Sequence, residues 1–174
     1  MNTKYVPDQF DLNIIALLNQ DGRMPSTTIA EKIEGITSRT VNNRIKALVK
    51  HGLINIRGVV NPSAFGYPVM ADVYIQVEPG QVREVAEIVA EYSEATYVAC
   101  ATGESDVSVS IRVSTIEELF NFVNDQLGRI PGVLRTRSYI LPIKLKDLDT
   151  WLPPEVLNEY NKHENKTKKS TDED

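Results

Sequence analysis

The side chains best suited to chemistry in this sequence lie between Thr37 and Lys50. Ser38, Arg39, Thr40, Asn42, Asn43 and Lys46 fall on the outward side, or at the N-terminal end, of a segment whose Val41, Ile45 and Leu48 recur at helical spacing. Short hydroxyl and amide groups with a few cations are what a helix needs in the major groove of DNA. Arg39 could pair with guanine there, and Asn42 or Asn43 with adenine. Ser26, Thr27, Lys46, Lys50 and Arg57 could hold phosphates, which fixes register without reading sequence. Arg44 lies beside the buried stripe and could serve packing or a backbone contact. The competing reading of all these residues is an ordinary solvated helix face.

A second cluster is Gly103-Glu104-Ser105-Asp106 between two apolar runs. Taken alone it reads first as a tight hairpin loop, in which Gly supplies unusual backbone angles and Asp caps. It could also bind a small molecule: Glu104 or Asp106 would meet an ammonium group while free backbone N–H groups receive a carboxylate. Thr136 and Ser138 alternate on a later run and could add hydroxyl donors.

Other chemistry is absent from the pattern. One cysteine, Cys100, and two distant histidines, His51 and His163, make neither a disulfide nor a zinc-ligand spacing. Cys100 sits among apolar neighbours and is expected to be buried. There is no phosphate-cradling Gly-rich loop and no Ser/His/Asp arrangement, so no enzyme is expected, and no metal or cofactor. Glu84, Glu87 and Glu91 read as a solvated helix face. No apolar run reaches the ~20 residues of a membrane span, and Met1–Phe10 is no secretory signal; a cytoplasmic protein is expected.

These residues need scaffolding. Asp8 can cap a first helix with Phe10, Ile14, Leu17 and Leu18 on one face, ended by Asp21-Gly22. Ser26 is expected to cap a short second helix with Ile29, Ala30 and Ile33 inward. Thr37 caps the third, which Gly52 stops. Leu53–Val60 alternates around Gly58 as a small hairpin would. Three helices and a hairpin make a winged helix-turn-helix over residues 1–60.

Residues 61–68, Asn61-Pro62-Ser63-Ala64-Phe65-Gly66-Tyr67-Pro68, read as a hinge. Beyond it, strands are expected over Val69–Glu78, Tyr97–Thr102, Val107–Val113 and Val133–Lys144. Helices are expected over Gln81–Tyr92 (Val82, Val85, Ile88, Val89 inward) and Thr115–Leu127 (Leu119, Phe120, Val123, Leu127 inward). This βαββαβ order over 69–146 is ferredoxin-like, with an antiparallel sheet and both helices on one face. The other face would then need a cover, for which a second copy of the chain is the obvious choice. The chain is thus α+β. In the extension 147–174, one short helix is expected over Glu155–Tyr160 and disorder beyond His163.

Net charge is −5, unevenly spread. Residues 1–60 hold eight Lys/Arg against five Asp/Glu; 61–146 hold seven against eleven; 147–174 hold four against eight. A basic end on an acidic chain suits a DNA-binding head on a body that need not touch DNA.

The ordered motifs resemble the Lrp/AsnC, or feast/famine, transcription regulators from about Asp8 to Lys146. In the head they are Asp8-x-x-Asp11-x-x-Ile14-Ile15-x-x-Leu18, Asp21-Gly22-Arg23, Ile29-Ala30, Ile36-Thr37, Thr40-Val41, Arg44-Ile45, Leu48 and Gly52-Leu53-Ile54. In the hinge and body they are Asn61-Pro62, Phe65-Gly66-Tyr67, Thr102-Gly103-x-x-Asp106 and Ile130-Pro131-Gly132-Val133-x-x-Thr136-x-Ser138. The resemblance implies a sequence-specific regulator that binds double-stranded DNA and assembles with itself into dimers, then tetramers or octamers. It also implies an amino-acid effector bound between dimers near Thr102, Gly103, Glu104, Asp106, Thr136 and Ser138, acting by allostery. Ser105 stands where the family usually carries an aromatic, and the turn at Glu34-Gly35 is one residue longer than usual. Two alternatives remain: an architectural DNA-wrapping protein with little sequence preference, and a regulator that needs no effector.

Overall fold

The structure is a computed structural model that describes residues 5–146 and 151–171. Its elements in order are α1 (Gln9–Gln20), α2 (Ser26–Lys32), α3 (Ser38–Lys50), β1 (Val69–Val77), α4 (Val82–Ala90), β2 (Ala95–Cys100), β3 (Val107–Val113), α5 (Ile116–Asn121), β4 (Val133–Ile140) and α6 (Pro154–Thr171). They form two compact units. One holds the described residues up to Val59 together with those from 151 onward; the other is Val60–Lys146.

In the first unit, α1 starts where the sequence demands. Asp8 accepts a hydrogen bond from the Asp11 N–H at 3.1 Å, and Asp11 accepts one from the Asp8 N–H at 3.1 Å, a reciprocal capping box. Helix α2 is capped differently from expectation. Pro25 occupies the cap, and Ser26 is the first helical residue, its hydroxyl turned instead toward α3. Proline's ring fixes φ, −60° here, which sets the entry into the helix, and no side chain caps its first turn. The α2–α3 turn bends at Gly35, whose φ of +82° is a left-handed conformation that a side chain would strain. Thr37 caps α3 as expected, accepting from the Thr40 N–H. At the other end the Leu53 and Gly52 N–H groups bond back to the Leu48 and Val49 carbonyls, a Schellman ending. Ile14, Leu17, Ile29, Ile33, Val41 and Leu48 form the core between these helices.

Two expectations for this unit fail. The hairpin over Leu53–Val60 does not form; the segment has no ladder pairing, and Ile56, Val59 and Val60 are exposed. Two short arms with no third strand or apolar cover do not hold a sheet. The C-terminal segment also differs. Rather than a short helix followed by disorder, α6 continues to Thr171 and packs on α1. Val156, Glu159 and His163 recur at helical spacing and are buried, and this tertiary packing supports a helix whose composition alone would not. His163 meets the Asn13 side-chain oxygen at 2.8 Å, and Gln20 donates to the Tyr160 carbonyl.

The second unit is a four-stranded antiparallel sheet of order β2-β3-β1-β4. Alternation explains its faces. Ala71, Val73, Ile75 and Val77 of β1 and Val107, Val109, Ile111 and Val113 of β3 are buried, packed with Val85, Ala86 and Val89 of α4 and Leu119 of α5. The opposite parity stays open.

The two helices refine the expected faces. Ile88 is partly exposed and Ala86 takes its place inside. Phe122 is buried while Phe120 is 67% exposed. Leu119, Phe122, Val123 and Leu127 share the inward stripe, and after Asn121 the helix widens into a π-turn over Phe122–Gln126. Strand β2 begins two residues earlier than expected, with a bulge between Ala95 and Tyr97. Strand β4 stops at Ile140, two residues before Pro142. Cys100, expected inside, is exposed at the end of the edge strand β2.

Candidate functional site

Helix α3 presents two opposed lines. Val41 and Leu48 are fully buried. Arg39, Asn43, Lys46 and Lys50, at i, i+4, i+7 and i+11, run along the opposite side and are all exposed. Ser38 stands at the N-terminal turn, half-buried, and Thr40 is exposed with its hydroxyl 2.9 Å from that of Thr37. Three backbone N–H groups and the positive end of the helix dipole lie at this same end.

Three of the expected contact residues, Ser26, Asn42 and Arg44, are already engaged within the protein. The Asn42 amide donates to the Ser26 hydroxyl at 2.9 Å, tying α3 to the start of α2. Arg44 binds both carboxylates of the α1 capping box: Asp8 at 2.9 Å and Asp11 at 2.9 Å. Its guanidinium also lies over the Phe10 ring, 5.3 Å from the centroid. These contacts engage the Arg44 guanidinium within the protein. Burial alone would raise the Asp8 carboxyl pKa, but the Asp11 N–H and Arg44 outweigh it and hold Asp8 below its ordinary value. Thr27 and Arg57 are exposed; Arg57 lies in the irregular segment where a hairpin was expected.

The Gly103–Asp106 loop joins β2 to β3, and Gly103 has φ +134°, open essentially to glycine alone. Asp106 is spent on the backbone: its carboxylate accepts from the Val77 N–H at 2.9 Å, its own N–H donates to the Ile75 carbonyl, and its carbonyl accepts from Ala101. It anchors the loop to β1. Glu104 reaches across to Arg137 at 3.3 Å, and its carbonyl accepts from the Gln76 amide at 2.8 Å.

Beside this loop, on the open sheet face, lies a depression of about 530 Å³ lined by Asp72, Tyr74, Gln76, Glu104, Ser105, Arg135, Arg137, Tyr139 and Leu141. Its size is in the range of small-molecule sites. It offers two guanidinium groups for a carboxylate, two carboxylates for a cation, and the edge-to-face pair Tyr74–Tyr139, centroids 5.7 Å apart, as an apolar wall.

Of the six residues expected around an effector, only Glu104 lines this depression; Thr102, Gly103 and Asp106 belong to the neighbouring loop. Thr136 and Ser138 do not line it. They pair with Ile75 and Val73, so their side chains share the parity of the helix-covered face. Their neighbours Arg135, Arg137 and Tyr139 point the other way. A signal for these three existed in the Arg-x-Arg-x-Tyr alternation, but choosing it required knowing which face the helices cover.

A profile described as winged helix-turn-helix DNA-binding matches residues 7–55, and one described as Lrp/AsnC ligand binding domain matches residues 70–149. The HTH-type transcriptional regulator FL11 of Pyrococcus furiosus is 40% identical over 147 residues, covering 84% of this chain and 95% of its own. The HTH-type transcriptional regulator LrpA of Pyrococcus horikoshii is 30% identical over 140 residues, covering 80% and 99%. Among solved structures, E. coli AsnC superposes with a TM-score of 0.77 at 19% identity over 83% of this chain and 99% of its own. A Neisseria meningitidis transcriptional regulator in complex with L-Met gives 0.76 at 22% identity over 85% and 97%. At these identities the structural likeness is one of fold.

Proposed function

The chain belongs to the Lrp/AsnC family of transcriptional regulators, and from that premise we propose that it is a sequence-specific DNA-binding regulator whose α3 reads the major groove and whose βαββαβ unit senses an amino acid or related metabolite. The family is one of regulators, not enzymes. The observation that carries the reading is the exposed Arg39–Asn43–Lys46 line on α3, opposite the buried Val41–Leu48 line. Arg39 and Asn43 have the donors to read base edges, and Lys46, Lys50, Ser38 and Thr27 hold phosphates.

On the sensing side, Arg135 and Arg137 receive a carboxylate and Glu104 or Asp72 an ammonium group. Tyr74 and Tyr139 contact the rest of the ligand. Exposed tyrosines on the open sheet face support a second copy as its cover, giving a dimer that assembles into tetramers or octamers. A dimer brings two heads to two half-sites about one helical turn apart. A ligand bound more tightly by one assembly state than another shifts the population, and DNA affinity with it. No helix among the described residues is long and apolar enough to cross a membrane; the proposed place of action is the cytoplasm.

Selection from random duplexes tests the reading. An enriched motif with two related half-sites is expected. No enrichment would favour an architectural DNA-wrapping protein. Calorimetry against the amino acids tests the sensor: heat of binding is expected for at least one of them and its loss in Arg137→Ala, whereas a flat response across the panel favours an effector-independent regulator.

A further inference from the structure

Helix α3 can present Arg39 and Asn43 to base edges only if its rotation about its own axis is fixed. The apolar contacts of Val41 and Leu48 fix which side of α3 faces inward, and directional contacts narrow its rotation further. The directional contacts are elsewhere. Asp11 is 1% exposed, and both its oxygens are used: Oδ1 takes Arg44, and Oδ2 takes the Tyr5 hydroxyl at 2.8 Å and the Asp8 N–H. Asp8 takes the other side of the same guanidinium. Seven residues along α3, His51 at its C-cap stacks on the Tyr5 ring, centroids 5.0 Å apart. The segment Tyr5–Asp11 therefore grips α3 at two points about 10 Å apart along its axis.

We propose that Asp8, Asp11 and Arg44, with Tyr5 behind them, are specificity-determining positioning residues: they set the roll of α3 and so decide which base edges Arg39 and Asn43 meet, without touching DNA. A planar guanidinium held by two carboxylates resists rotation in a way a single point charge does not. The proposal rests on the reading of α3 as the DNA-reading helix.

The test uses the full chain and two probes: the duplex most enriched by the wild type from a random library, and an unselected random duplex. The variants are Asp11→Asn, Arg44→Lys and Arg44→Met. The readouts are the ratio of affinities for the two probes, the slope of log affinity against log salt, and the thermal midpoint.

Asp11→Asn removes a negative charge, which by electrostatics alone would strengthen binding to both probes. It is expected instead to lower the ratio by about tenfold, comparable to losing one base contact. The salt slope should stay unchanged, because no phosphate contact is lost. Arg44→Met should behave likewise, and the double variant should be no worse than either single. Arg44→Lys keeps the charge but not the fork, and should lower the ratio partway at near-wild-type stability, which separates positioning from unfolding. The proposal is overturned if Arg44→Met lowers the salt slope by about one while Asp11→Asn leaves the ratio intact, since Arg44 would then be a phosphate contact. An unchanged ratio in all three variants overturns it as well. Arg39→Ala and Asn43→Ala serve as references: if they too leave the ratio unchanged, the DNA reading itself has failed, and the positioning proposal falls with it.

Discussion

A base-reading and a phosphate-holding side chain on one helix differ in what their loss does. Arg39 and Asn43 stand on the exposed line of α3 with free paths to solvent, and Lys46 stands one turn further along. Arg39→Ala and Asn43→Ala are expected to weaken the selected duplex by roughly 1–3 kcal/mol each and random duplex far less. Lys46→Ala is expected to weaken both alike and to lower the salt slope by about one, read in parallel anisotropy titrations. Equal losses on both duplexes for Arg39→Ala would reject its base-reading role. What was legible at this scale was local. The caps at Asp8 and Thr37 follow from residues three apart and need nothing else. The partnership of Arg44 with Asp11 spans 33 residues, and only packing of α3 on α1 brings the two together. The parity of β4 was illegible for a similar reason: Thr136 and Ser138 look like donors in a string, but their side chains fall on the parity of the helix-packed face, with Thr136 half-buried and Ser138 exposed on the edge strand.

Among the elements, long periodic segments were readable and short or covered ones were not. Helices α1 and α3 and strands β1 and β3 repeat their apolar residues over enough length to fix type and face. The hairpin after α3 is too short to hold itself, and in α5 only packing decides between the adjacent Leu119 and Phe120, of which Leu119 is buried and Phe120 exposed. The full length of helix α6, expected only over Glu155–Tyr160, was not legible because its inward stripe consists of Val156, Glu159 and His163, two of them polar, whose burial depends on α1. Ending the chain after Lys146 removes this cover from α1. The expected result is a loss of stability of the helical unit of the order of 1–3 kcal/mol, seen as a lower unfolding midpoint. An unchanged midpoint would mean that α6 contributes nothing to the unit. The contact should also be acid-labile. Glu159 has its pKa lowered by the Lys162 hydrogen bond, against the opposing effect of burial, with further help from Gln9. The folded state thus binds fewer protons than the unfolded one. Its contribution is present above the ordinary glutamate pKa of about 4.3 and is lost as pH falls through the lower folded value. With Lys162 largely exposed, that contribution is under about 1 kcal/mol. The difference in midpoint between full-length and shortened chains should therefore shrink slightly below about pH 4.

At the level of the whole molecule, charge and assembly decide how the parts work. The chain is net acidic, so attraction to DNA must come from the local arrangement of cations on α3 and not from the total. Two heads per assembly would turn a modest single-site affinity into a useful one through effective concentration. Tyr139 is 53% exposed on the open face of the sheet, at the centre of the proposed contact between copies. Tyr139→Glu is expected to shift the protein toward monomer in sedimentation and to weaken binding to a two-half-site duplex by tenfold or more, on the order of the avidity lost. A variant that stays in the wild-type assembly would move the contact elsewhere on the surface. The α+β plan, a helical head followed by an antiparallel sheet with helices, was accessible from the order of elements alone. The return of the chain after residue 151 to the first unit was not, because nothing local announces where a terminal helix will dock.

The central claim is that α3 reads base edges in the major groove, and methylation interference on the selected duplex tests it most directly. Methylation of guanine N7 blocks the atom that a major-groove arginine would use. The account predicts that methylation at one guanine in each half-site abolishes binding by the wild type, and that Arg39→Ala, though weaker, no longer distinguishes methylated from unmodified duplex there. Binding indifferent to guanine N7 methylation but blocked by methylation of adenine N3 in the minor groove would contradict it.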